Sequence, residues 1–145
     1  MPAKTGNMIP GLVSHIGVAV ADLDQAIARY RLITGSEPVV HDVPDQKVRV
    51  AMFSRGDNAN GSRIELVAAT EESSPIARYL AKHGEGLHHI CIYVADLEAK
   101  LTELEDAGMQ LIDRRPRIGA DGHRIAFVHP AGANGVLLEL EEMTS

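Results

Sequence analysis

One nonapeptide is written twice in this chain. "HIGVAVADL" at residues 15–23 and "HICIYVADL" at 89–97 agree at six of nine positions and stand 74 residues apart. The same offset lays "IEL" at 64–66 on "LEL" at 138–140, so the match is wider than one local motif. Such a repeat commits both halves to one local architecture, because each copy must bury the same apolar face.

Both copies read alike. Alternation in "LVSHIGVAV" puts His15, Gly17 and Ala19 on one strand face and Ile16, Val18 and Val20 on the other, and in "GLHHICIYV" His89, Cys91 and Tyr93 mirror the first set. Asp22 and Asp96 then suit helix N-caps ahead of "LDQAIARYRLIT" and "LEAKLTELEDA", with Gln25 at the capping-box position. Gly35 and Gly108 stop those helices. Afterwards the period returns to two, in "EPVVHDV", "KVRVAMF" and "SRIELVAA" of the first copy and "QLIDRRP", "HRIAFVHP" and "GVLLELEE" of the second. The expected class is therefore α+β: two tandem βαβββ modules, about residues 13–70 and 87–142, in one domain over 12–143. "SSPIARYLAKHGEG" predicts a connector helix over about 74–83, with Ser74 as cap, Pro75 at the first helical position, and Gly84 and Gly86 after it. Residues 1–11 are expected to form a loose tail, and "GDNANG" and "HPAGANG" to be hairpin loops without the spacing of a phosphate cradle.

Composition narrows the functions. A formal charge of -6, 3% aromatic residues and no Trp offer neither a basic footprint nor stacking platforms, which argues against nucleic-acid binding. No apolar run approaches the roughly 20 residues of a membrane helix, and "MPAKTGNMIPG" has no signal-peptide core, so a cytoplasmic protein is expected. The single Cys91 forms no internal disulfide, which fits a reducing compartment.

Taken singly, a histidine on an apolar strand reads as a hydrogen-bonded core residue, and Glu65 in "IELV" as an edge carboxylate. Duplication changes that reading. Should the copies pack by pseudo-twofold symmetry, His15 pairs with His89 and Glu65 with Glu139. Two imidazoles and two carboxylates converging on one point suit a borderline divalent ion. His88 should point away from His89, and His41 and His83 should be solvated. His123 and His129, flanking "RIAFV", are expected at the surface. Cys91 is expected to be a small buried thiol, since nothing here specifies an activating base.

These residues carry a resemblance. The paired modules with His15, Glu65, His89 and Glu139 resemble the vicinal oxygen chelate superfamily, which includes glyoxalase I, extradiol dioxygenases and antibiotic-resistance proteins. "SPIARYLAKHGEGLHHICIYV", "RIGADGHRIAFVHP" and "GVLLELEE" make the methylmalonyl-CoA epimerases the most similar branch, over about residues 12–142. The resemblance implies a mixed, partly closed barrel-like sheet around a metal site, with His15, Glu65, His89 and Glu139 as ligands. It implies an isomerase of propionyl-CoA metabolism that interconverts (2R)- and (2S)-methylmalonyl-CoA through a metal-stabilised enolate. The ion is divalent, with Co2+ first and Zn2+, Mn2+, Ni2+ and Mg2+ also tolerant of these donors. An acyl-CoA substrate and a homodimer follow from the same likeness, without nucleic-acid or membrane partners.

Glu139 is implied as one catalytic base. Alignment by Pro44 puts Val50 where some relatives carry a second carboxylate, so Glu65 is the substitute considered for that role. Arg114, Arg115, Arg117, His123 and Arg124 form a basic cluster that suits phosphates or plain surface charge. A glyoxalase I-type lyase and a non-catalytic small-molecule-binding protein of the same fold are the alternatives; Glu65 as fourth ligand argues against dioxygenase chemistry.

Overall fold

A computed structural model describes residues 9–54 and 61–144. Among these, eight strands and three α-helices follow one another as β1 (Val13–Ala19), α1 (Leu23–Thr34), β2 (Pro38–Val43), β3 (Val48–Phe53), β4 (Arg63–Ala69), α2 (Pro75–His83), β5 (Gly86–Val94), α3 (Leu97–Asp106), β6 (Arg117–Ile118), β7 (Arg124–Val128) and β8 (Leu138–Glu142). This is the expected α+β order, βαβββ twice with α2 between. No described helix is long and apolar enough to cross a membrane.

The helices begin where the caps predict. The Asp22 side chain accepts the Gln25 N–H at 3.0 Å, and the Asp96 side chain accepts the Ala99 N–H at 3.0 Å. Gly35 closes α1 in the left-handed conformation, φ 71°, which only glycine adopts without strain. Ser74 caps α2, whose second residue Ile76 donates to its hydroxyl at 3.2 Å.

The described residues form two compact units, one of residues 16–54 and 63–88, the other of 9–15, 61–62 and 89–144. In the first unit the antiparallel ladder β2–β3–β4 backs onto α1. Val20, Ala26, Ile27, Ala51, Phe53, Leu66 and Ala68 form its core. In the second, β8 pairs parallel with β5 and antiparallel with β7, and Val94, Leu97, Leu101, Ala126, Val128 and Leu140 pack with α3. Period two leaves each unit a second sheet face, turned away from its helix. The division falls inside β1, so His15 belongs to the unit of β5 and β8.

One expected strand is missing. Over "QLIDRRP" only Leu111 makes a bridge, to Val128, and the short β6 comes after it. Ile112 and Asp113 both donate to the Phe127 carbonyl, at 3.0 and 3.1 Å, while the Asp113 carboxylate takes the Phe127 N–H at 2.8 Å. A side chain has replaced the ladder there, and Pro116 has no N–H to resume it. "HPAGANG" holds a 3-10 turn, Pro130–Gly132, whose Ala131 N–H is accepted by His129 Nδ1 at 2.9 Å. "GDNANG" lies outside the described residues except for Gly61.

Candidate metal centre

The polar cluster of the second unit follows from strand register. Leu138 and Leu140 turn toward α3, so Glu139 and Glu141 must point to the opposite face of β8. The parallel pairing sets Cys91 beside Glu139 and Tyr93 beside Glu141, and His89 lies one step down the same face of β5. His15, at the start of β1, joins them. His15 Nε2 is 3.2 Å from His89 Nε2 and 3.1 Å from Glu139 Oε1, and His89 Nε2 is 3.2 Å from the same oxygen. His15, His89 and Glu139 are only 4%, 6% and 6% exposed.

Such a triangle suits a cation. Atoms about 2.1 Å from one ion stand about 3.0 Å apart at right angles and about 3.4 Å apart at tetrahedral angles. The observed edges fall between these values. Burying a carboxylate and two imidazoles costs several kcal/mol unless their lone pairs are used, and a shared divalent ion uses all three. Burial by itself would raise the pKa of Glu139. Hydrogen bonds from His15 and His89, and their charges, outweigh that and hold it at about 2, so the carboxylate is ionised at neutral pH.

A second donor set overlaps the first. His15, Cys91 and Glu141 also place ligand atoms within 4.8 Å of one another. The Cys91 thiol is pushed up by burial and then by the neighbouring charges of Glu139 and Glu141, so a thiolate is disfavoured. Glu141 is moreover engaged on both oxygens: Ser14 Oγ is 2.7 Å from Oε1 and His123 Nδ1 is 2.6 Å from Oε2. Cys91 is the buried thiol expected, 0% exposed. His123, expected at the surface, is half-buried against Glu141. Glu141 and Ser14 were not among the expected site residues. The "ELEE" alternation, which places Glu141 on the face of Glu139, is the signal that points to it.

Glu65 stands on β4 in the other unit, also buried. Its register opposite Met52 gives it the face of Val50 and Val67, away from the Leu66 and Ala68 that pack with α1. Val50 is an ordinary apolar strand residue, paired with His41 and Val67. In the basic cluster, Arg114 pairs with Glu105 at 3.1 Å, Arg117 with Asp113 at 3.4 Å, and Arg124 with Glu98 and Glu142 at 3.2 Å each. Its charge is largely answered from within the chain, which favours the surface-charge reading.

Residues 14–127 match the model of the Glyoxalase/Bleomycin resistance protein/Dioxygenase superfamily. The chain belongs to this superfamily. Among its members, the ethylmalonyl-CoA/methylmalonyl-CoA epimerase of Cereibacter sphaeroides is 38% identical over 136 residues, covering 92% of this chain and 98% of that protein. The crystal structure of methylmalonyl-CoA epimerase from Mycobacterium tuberculosis superposes with a TM-score of 0.86 at 36% identity, over 96% of this chain and 92% of that one. A methylmalonyl-CoA epimerase in complex with methylmalonyl-CoA and NH4+ gives 0.85 at 36% identity, over 94% and 97% of the two chains. Superfamily membership agrees with the α+β modules and with a metal centre built on strands.

Proposed function

We propose that this protein is an isomerase that epimerises methylmalonyl-CoA at C2. The observation that carries the reading is the buried triangle of His15, His89 and Glu139 in a chain akin to methylmalonyl-CoA epimerases. The name of the Cereibacter sphaeroides relative extends the substrate range to ethylmalonyl-CoA, which differs only by one methylene beside the reacting carbon.

The C2 proton of the substrate lies between a thioester and a carboxylate, and its removal leaves charge on the thioester oxygen. His15, His89, Glu139 and Glu65 are the residues that would hold a divalent ion, Co2+ by preference, which when bound would supply positive charge to offset the charge developing on that oxygen. Glu65 is assigned to the quartet by its 74-residue offset from Glu139 and by its burial on a polar-bearing strand face. Glu139 is the first base: it is ionised, and a carboxylate accepts a proton directly. Inversion needs the proton returned to the other face of C2. With Val50 apolar, Glu65 is the carboxylate available for that return. We assign the working form as a cytoplasmic homodimer, with residues 12–143 as one domain.

A mutase-coupled assay started separately from each methylmalonyl-CoA isomer tests the function. Turnover of both isomers, abolished by chelator and restored by Co2+, is the expected result. Turnover of only the mutase's own isomer, with or without added protein, refutes it.

A further inference from the structure

The polar face of the second unit carries a phenyl ring beside the metal triangle. Ala126 and Val128 turn into the core with α3, so Phe127 takes the other face of β7, in register with Glu139 of β8. Its side chain is half-buried, and the ring centroid lies 6.1 Å from that of His89 at an interplanar angle of 82°. An exposed arginine covers it. The Arg117 guanidinium carbon stands 5.3 Å from the Phe127 centroid, within the range of a cation–π contact. One ring therefore separates a fixed positive charge from His89.

Arg117 stands apart from the rest of the basic cluster. Arg124 is spent on Glu98 and Glu142, at 3.2 Å each. Arg117 has Asp113, 3.4 Å from its Nε, but that Asp113 oxygen already accepts the Phe127 N–H at 2.8 Å. The guanidinium donates no hydrogen bond among the described residues. Ring and carboxylate together hold the fork in place, and its terminal nitrogens keep their donors.

Such a fork suits a planar anion, taken through two parallel hydrogen bonds. A methylmalonyl thioester offers anions of two kinds: the carboxylate on the reacting carbon, and the phosphates at the far end of the CoA arm. Arg117 also lines a cavity of about 530 Å3 with Arg114, Arg115 and Arg124, which offers the phosphates a place. Phe127 favours the carboxylate, because its contact with His89 ties Arg117 to the reacting end of the substrate.

We propose that Arg117, stacked on Phe127, binds the free carboxylate of the acyl-CoA substrate and so selects malonyl-type thioesters over simple acyl thioesters. The inference rests on the epimerase reading above, to which it adds a specificity-determining residue.

Calorimetric titration of the Co2+-loaded protein with three ligands tests it without turnover. These are racemic methylmalonyl-CoA, racemic methylmalonyl-pantetheine, which lacks the phosphates, and propionyl-CoA, which lacks the carboxylate. Wild type should bind methylmalonyl-CoA more tightly than propionyl-CoA by about 10-fold or more. Arg117→Met keeps an apolar stem and loses the charge. It should weaken both methylmalonyl ligands about 10- to 100-fold, the range for hydrogen bonds between charged groups, and leave propionyl-CoA within about two-fold. Arg117→Lys, a point charge without the fork, should fall between. A loss confined to the two CoA thioesters would assign Arg117 to a phosphate, and an equal loss for all three would reduce it to general attraction; either overturns the proposal. Unchanged affinities overturn it too, as does a wild type that binds methylmalonyl-CoA and propionyl-CoA alike. Should Arg117→Met fail to fold, Arg117→Lys decides alone, and only a loss restricted to both methylmalonyl ligands supports the assignment. A wild type that binds none of the three refutes the epimerase reading itself, and the proposal with it.

Discussion

His15 and His89 face each other edge to face, ring planes at 90° and Nε2 atoms 3.2 Å apart, though 74 residues separate them in the chain. Neither imidazole is replaceable if both hold one ion. A metal at 100 times its Kd adds about 2.7 kcal/mol to folding stability. Co2+ should therefore raise the melting temperature of the chelator-treated wild type by several degrees. His15→Ala and His89→Ala should abolish that rise, and a rise retained in both variants would show that the ion binds elsewhere.

Glu139→Gln keeps the shape of the side chain while removing its charge and its capacity to take a proton. Epimerisation should fall by about 100-fold or more, the usual contribution of a positioned base. The same substitution should weaken metal binding, so the assay belongs at saturating metal. Activity within a few-fold of wild type there would remove Glu139 as the base.

Glu65→Gln separates the two directions of the reaction. Deuterium exchange at C2, followed from each isomer, should survive in one direction and fall in the other if Glu65 serves one face of the substrate. Equal exchange from both isomers, at wild-type rates, would leave Glu65 at most a ligand.

Acid titration of the metal-free protein carries a signed expectation. The fold holds Glu139 at about 2 against an ordinary value of 4.5, despite the opposing effect of burial. A lowered pKa favours folding wherever the group is ionised, so this contribution is complete above about pH 4.5 and is lost as pH falls toward about 2. Urea unfolding of wild type and Glu139→Gln should show a stability difference that narrows over that window. A pH-independent difference would mean the two imidazoles do not stabilise the carboxylate.

Asp96 accepts the Ala99 N–H at 3.0 Å on the α3 side of the second unit, away from the polar face. Asp96→Ala should cost about 1 kcal/mol of stability, the typical value of an N-cap. Turnover at low temperature should match wild type, and a large loss of activity would show that α3 does more than back the sheet.

The repeat, the caps and the period of two were local facts, and local physics reads them well. Asp22, Asp96 and Ser74 cap helices because a short polar side chain beside free N–H groups has few better partners, whatever lies farther along the chain. The duplicated His15 and His89, and the Glu139 that accompanies them, could be picked out before any fold was known, since the same costly residue at the same place in two copies is hard to ascribe to packing. The pairing over 110–116 could not, because it hangs on Asp113 capturing the Phe127 N–H from 14 residues away. Nor could Glu141 be ranked above its neighbours in "ELEE". Its importance comes from Ser14, 127 positions earlier, and His123, 18 positions earlier, meeting its two oxygens. Sequence spacing dictates which face a strand residue takes, but which distant groups share that face depends on strand register, and register is a property of the folded sheet.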